Sequence, residues 1–214
     1  APETFDKGFE ATQDMFDAPT ETAKNPIPML YQSGYLTIKS VKSGNRYILG
    51  FPNNEVRLGF LKALMPYYAM DDVVENDSFI LRFIDALEAS DIEEAMVQIR
   101  AFMSGVPYNA EQQNENHYKT IFFLIFKLCT PYVVHTEVCS AAGRADAVVE
   151  TADSVYLFEF KIDGVSTVDD ALQQIDSKGY LIPYIAKPNK KLHKIGATFD
   201  MQKRTIGEWK VVVE

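Results

Sequence analysis

The apolar positions of this chain change period near its middle. Up to residue 106 they recur mostly at helical spacing: Phe60, Leu61 and Leu64, then Phe79, Phe83, Ile84 and Leu87, then Ala95, Met96, Ile99 and Phe102. Side chains three and four apart share one face of an α-helix, so these sets predict amphipathic helices over 55–65, 78–88 and 92–103. Asp91 followed by Glu94 reads as an N-cap for the third. Ahead of them, Tyr35–Ile38 and Arg46–Leu49 flank Ser43-Gly44-Asn45 and predict a β-hairpin, and residues 1–28 read as a leading helix or arm that ends at Pro26 and Pro28. Ser104-Gly105-Val106-Pro107 breaks the pattern and is the expected domain boundary.

Beyond that break, β-branched and aromatic runs alternate with two helical segments. A helix is expected over 110–128, ended by Pro131, and strands over 132–138, 145–150 and 155–162. Thr167 reads as the cap of a helix over 168–178, with Asp169 and Asp170 in its first turn, and two strands follow over 191–199 and 205–213. The expected fold class is therefore α/β (α+β), a mixed sheet flanked by helices over 108–214, preceded by a smaller, mostly helical domain with a β-hairpin over 1–107.

One hairpin carries candidate chemistry. Thr151-Ala152-Asp153-Ser154 is turn chemistry, and if Glu150 pairs with Val155, then Val148 faces Leu157 and Asp146 faces Glu159. Directly opposed side chains stand roughly 5 Å apart, where like charges repel, so something positive is expected between them. Lys161 lies two residues past Glu159 on the same strand face. Two carboxylates and a lysine at one spot suit a hard divalent cation and a phosphate.

Composition narrows the reading. The chain has 214 residues, 47% of them hydrophobic, and a formal net charge of −9. The charge is uneven: 9 basic against 16 acidic residues over 1–108, 12 against 14 over 109–214. Eight basic residues fall between Lys178 and Lys210, a stretch that reads either as a polyanion contact or, from charge alone, as an ordinary solvated face. No run of 18 apolar residues predicts a membrane span, and the acidic, polar start of the chain does not read as a signal peptide. Cys129 and Cys139 sit in apolar surroundings without a C-x-x-C or Cys/His cluster, which predicts buried thiols in a reducing, cytoplasmic setting. His117, His135 and His193 are not spaced as ligands of one site, so a zinc centre is not expected, and neither a G-x-S-x-G elbow nor a cysteine nucleophile with a paired base is present.

Asn114-Glu115, Glu137, Gly143-Arg144-x-Asp146, Glu159-Phe160-Lys161, Ala171-Leu172-Gln173-Gln174-Ile175, Tyr180 and the Gly196…Phe199-Asp200…Trp209 ending occur in an order and spacing that resembles the PD-(D/E)XK nuclease superfamily over roughly 108–214. Within it, the resemblance is to the branch that follows an ATPase-like N-terminal domain. The runs Leu30–Ile38 and Pro52–Arg57 resemble the linker or lid region that precedes the nuclease-like domain there. No G-x-x-x-x-G-K-[ST] loop occurs in this chain, and Ala145 stands where the family's name has proline.

The resemblance implies a restriction-endonuclease-like core and a metal-dependent phosphodiester hydrolase acting on nucleic acid, with DNA the expected substrate. It assigns Asp146, Glu159, Lys161 and Gln174 to catalysis, and Asp146, Glu159, the Phe160 carbonyl and Glu115 to Mg²⁺ or Mn²⁺. Glu137 would join the acidic cluster or stabilise Arg144, and Tyr180 reads as core. An ATPase-like domain upstream is the implied partner. The alternative is a non-catalytic nucleic-acid-binding or regulatory module on the same fold, favoured by the acidic first half. A third possibility, a winged-helix-like DNA reader over 29–103, meets Glu55, Asp71, Asp72, Glu75 and Asp77, which would face phosphates badly.

Overall fold

The computed structural model describes residues 8–19, 25–68, 73–106, 115–129, 131, 135–138, 145–187 and 189–214, without the side chains of 73–75, 115–117, 119 and 135–138. Two compact units emerge, Ala1–Leu64 and Met65–Glu214.

In the first unit, strands β1 (Phe9–Thr12), β2 (Thr37–Lys42) and β3 (Arg46–Gly50) form an antiparallel sheet in the order β1-β3-β2. The β2–β3 hairpin is the expected one, and Gly44 and Asn45 at its tip take left-handed backbone angles, which these two residue types adopt at least steric expense. Strand β1 differs from the expected leading helix or arm. Phe9-Glu10-Ala11-Thr12 alternates sides and buries Ala11 against Leu49 and Phe16, a pairing across 38 residues that local periodicity does not announce. Two short helices, α1 (Gln13–Phe16) and α2 (Ile27–Gln32), complete this core, and α3 (Asn54–Tyr68) follows the sheet.

The second unit is built on a five-stranded mixed sheet. Its strands are β4 (His135–Val138), β5 (Ala147–Glu150), β6 (Ser154–Ile162), β7 (Lys191–Asp200) and β8 (Thr205–Val213), in that spatial order. Only β6 and β7 run parallel, which requires a crossover, and helices α7 (Val168–Ser177) and α8 (Ile182–Ile185) supply it. β6 is the central strand and is buried on both faces, which is why Ser154–Phe160 reads as a nearly unbroken apolar run. On one face, Val155 and Leu157 pack with Leu172 and Ile175 of α7 and with Tyr180 and Tyr184. On the other, helix α6 (Glu115–Leu128) lays Phe122 on Phe160 with ring centroids 4.3 Å apart, and Phe126 on Phe158 at 5.0 Å.

Helices α4 (Val73–Glu88) and α5 (Ile92–Ser104) belong to this sheet, so the unit boundary lies ahead of the break expected at residue 107. Arg100 explains the difference. Its Nε donates to the Ile206 carbonyl at 3.0 Å, its Nη2 donates to the Gly207 carbonyl, and its guanidinium lies 4.1 Å from the Trp209 ring centroid. Trp209 Nε1 in turn donates to Glu93 Oε2, and the Tyr156 hydroxyl donates to the Leu87 carbonyl at 2.6 Å. These partners are roughly 70 to 115 residues apart in the chain, a separation at which the pattern of Ser104–Pro107 carries no information.

Candidate active site

The hairpin register is the one expected. Glu150 pairs with Val155, Val148 with Leu157 and Ala147 with Phe158. The ladder stops at Ala147, so Asp146 stands one residue outside it rather than within a strand pair. Its Oδ2 accepts a hydrogen bond from the Phe160 backbone N–H at 2.8 Å. In an extended strand a residue's N–H and C=O point to the same edge, so the Phe160 carbonyl is directed toward the Asp146 side as well.

Glu159 and Lys161 project from the face of β6 that carries Leu157, beneath α7. Glu159 is 2% exposed. Its Oε1 accepts from Lys161 Nζ at 2.9 Å and from Gln174 Nε2, while Lys161 Nζ also donates to Gln174 Oε1 at 2.6 Å. Gln174 Nε2 reaches the Tyr180 hydroxyl at 3.3 Å. Lys161, Glu159 and Gln174 thus form a closed hydrogen-bonded triangle between strand and helix.

Local sequence sets the phase of that helix. Thr167 and Asp170 form a reciprocal capping box at its start, with Asp170 N donating to Thr167 Oγ1 at 3.1 Å and Thr167 N to Asp170 Oδ2 at 2.7 Å. At its end, Gly179 takes a left-handed conformation and Tyr180 N donates back to the Ile175 carbonyl. Gln174, two turns into a helix pinned at both ends, is therefore held over Glu159.

The other Glu159 oxygen, Oε2, is buried and has no hydrogen-bond partner within ordinary geometry among the described residues. Burial raises the Glu159 pKa above the usual carboxylate range, and the nearby Asp146 charge raises it further; the bond from Lys161 acts the other way without cancelling them. The two acids are close enough to repel, as the register implied, and the lysine contacts one oxygen of Glu159.

The side chains of the other expected site acids lie outside the described residues. Glu115 opens α6, whose rings meet the sheet on the face opposite Glu159, and its side chain lies outside the described residues. The Glu137 backbone pairs with Val148, and its side chain is likewise outside them. Asn114, Gly143, Arg144 and Cys139 lie outside them altogether. Among the described residues no group of three or more His, Cys, Asp and Glu side chains could hold a metal ion together. His193 is a buried ring stacked on Tyr156 at 4.6 Å. Tyr180, expected as core, is buried and also joins the site through its hydroxyl.

The basic stretch is largely self-neutralised. Lys187 and Lys190 pair with the buried Glu150, Lys194 with Asp176 and Glu214, Lys203 with Asp200, and Lys210 with Asp169. Five of its eight cations therefore serve the fold, as a solvated face would.

Comparison with known proteins agrees with this geometry. Residues 113–209 match the model of the PD-(D/E)XK nuclease superfamily, and the mixed sheet flanked by helices is a restriction-endonuclease-like fold. A curated relative from Azotobacter chroococcum mcd 1, described as "Uncharacterized protein in vnfD 5'region", is 30% identical over 190 residues. That alignment covers 83% of this chain and 36% of the relative, so the chain spans about a third of the relative's length. No solved structure matches.

Proposed function

We propose that this chain is a metal-dependent nuclease that hydrolyses phosphodiester bonds, with DNA as substrate. The observation that carries the reading is the buried Glu159 Oε2 beside Asp146, which has no hydrogen-bond partner among the described residues, with the other Glu159 oxygen tied to Lys161 and Gln174. A carboxylate left half-satisfied in a buried site is costly unless a cation completes it. The donors fit a hard one: Glu159 Oε2, the Asp146 carboxylate and the Phe160 carbonyl are all oxygens, and Mg²⁺ is commonly held by one or two carboxylates with water filling the rest. Bound there, Mg²⁺ or Mn²⁺ would supply Lewis-acid polarisation of the phosphate and acidify the attacking water.

The chain's own residues do the remaining work. Lys161 Nζ, fixed by Glu159 and Gln174, offers a positive charge and a donor to a phosphate oxygen or to the attacking water, where negative charge builds in the transition state. Water adds to phosphorus, the P–O bond to the leaving sugar oxygen breaks, and the proton released by the water ends on that oxygen. Gln174 keeps the lysine in place, and the apolar wall of Leu157, Leu172 and Ile175 strengthens these electrostatic contacts by excluding solvent.

Purified protein should nick plasmid DNA in Mg²⁺ or Mn²⁺ and not in chelator. Asp146→Ala and Lys161→Ala should each reduce cleavage at least 100-fold, since groups acting on transition-state charge typically contribute factors of about 10²–10³. Cleavage that survives both changes sinks the assignment.

The internal pairing of Lys187, Lys190, Lys194, Lys203 and Lys210 favours a second reading, a regulatory module on a nuclease fold that makes no strong polyanion contact. In that case DNA binding is absent or indifferent to chelator. In either reading we place the chain beside an upstream ATPase-like domain in a longer protein, with segment 108–214 as its nuclease-like part working with helices α4 and α5. A cytoplasmic setting fits the free, buried Cys129, whose thiol burial pushes toward the protonated form. No helix among the described residues is long and apolar enough to cross a membrane.

A further inference from the structure

We propose that Gly196 is a positioning residue for this site: by presenting no side chain on β7, it lets α7 sit close enough to the sheet for Gln174 to reach Glu159 and Lys161. The effect on DNA cleavage rests on the nuclease reading; the effect on Gln174 does not.

Gly196 is the ladder neighbour of Glu159 in the parallel β6–β7 pair. Its φ lies outside the left-handed region, so the backbone conformation does not call for glycine. Glycine inside a strand weakens it, and its usual justification is the close approach of another segment. Here that segment is the start of α7. A Cβ built on Gly196 would stand 2.7 Å from the Val168 carbonyl oxygen, 3.1 Å from Ala171 Cβ and 3.1 Å from Leu172 Cγ. Carbon atoms in good contact lie about 3.5–4.0 Å apart. The nearest obstacle is backbone, which cannot rotate aside, so a methyl group displaces the helix.

The helix is pinned internally by its capping box and by the Tyr180–Ile175 bond, and it moves as a body. Gln174 lies one turn past Ala171 and moves with it. Hydrogen bonds of good geometry span about 2.7–3.2 Å, so displacing the helix carries Gln174 out of reach of Glu159 and Lys161. The Lys161–Glu159 pair lies within one strand and stays. Gly196 thus acts on the site through Gln174, without touching a reacting atom.

The test reads the Gln174 side-chain amide by NMR in the whole, metal-free chain, its resonance assigned by its loss in Gln174→Ala. In Gly196→Ala it should move to the position of a free, solvent-exchanging amide. Mn²⁺-dependent DNA cleavage should fall at least tenfold in Gly196→Ala and in Gln174→Ala, with the double variant no worse than the lower single one. Tyr156→Phe removes a hydrogen bond on the opposite face of the sheet and controls for lost stability; it should leave both the amide resonance and cleavage as in the unmodified chain. An unchanged Gln174 resonance in Gly196→Ala overturns the proposal, as does an equal shift in Tyr156→Phe. If the unmodified chain cleaves no DNA, the nuclease reading falls and the amide resonance still decides the role of Gly196. Should Gly196→Ala not fold, Ala171→Val applies the same wedge from the helix side, with the same two outcomes.

Discussion

Replacing Glu159 by glutamine should stabilise the metal-free protein, although it removes an ion pair. The glutamate is buried, one oxygen has no partner among the described residues, and Asp146 repels it. Its bond to Lys161 Nζ at 2.9 Å, like other charge-assisted hydrogen bonds, contributes about 1.5–3 kcal/mol. Taking a carboxylate out of water costs several kcal/mol in real proteins, before the Asp146 repulsion is added. The raised pKa gives the sign of the sum: the fold disfavours the ionised form. Several kcal/mol of desolvation against the roughly 1.5–3 kcal/mol of the Lys161 bond leaves a gain on the order of 1–2 kcal/mol for Glu159→Gln near pH 7 in chelator. For a chain of this size that is roughly 2–8 °C in Tm.

The pH dependence follows from the direction of the shift. Below the unfolded-chain value of 4.5 the glutamate is protonated in both states and carries no penalty. As pH rises through the folded-state value, which lies higher, the penalty develops and native stability is lost relative to the glutamine variant. Thermal unfolding of both proteins in chelator from pH 4.5 to 8 should therefore show curves that converge in acid and separate toward neutrality. Saturating Mn²⁺ should invert the order, since metal at 100 times its Kd stabilises the unmodified chain by about 2.7 kcal/mol and the glutamine variant by much less. If Glu159→Gln is destabilising by the same amount at every pH and Mn²⁺ treats both proteins alike, the site is an ordinary structural ion pair and no cation belongs there.

Two further outcomes probe the opposite face of the sheet. Tyr156→Phe should lower stability by about 1 kcal/mol in urea denaturation by removing the bond to the Leu87 carbonyl, and no change would mean that α4 is not held to β6 through that contact. His193 is 4% exposed, with neither ring nitrogen bonded among the described residues, and burial, then Lys191, lowers its pKa below 6.5. The unfolded chain takes up this proton first, so stability contributed by the neutral ring is lost as pH falls below 6.5, and His193→Phe should flatten the fall in Tm between pH 7 and 5; an unchanged slope would refute the assignment.

The hairpin was legible in the sequence because its determinants are local. A turn at 151–154 and a two-residue side-chain period leave one register that buries Val148 and Leu157 together, and Asp146, Glu159 and Lys161 follow from it. The helix of Gln174 was legible for the same reason, through Thr167, Asp170 and the apolar positions after them. Whether Gln174 touches Glu159 is not a local property. It depends on how closely α7 approaches β7, which Gly196 permits, and on a hydroxyl from Tyr180 beyond the helix. Likewise, the apolar stripes of α4 and α5 announced helices but not their partner, since the Arg100–Trp209 and Tyr156–Leu87 contacts join segments that only the folded chain brings together. Periodicity encodes which side of an element is buried; the identity of what covers it, and the pKa that burial imposes on Glu159, arise when elements distant in sequence exclude water from a shared space.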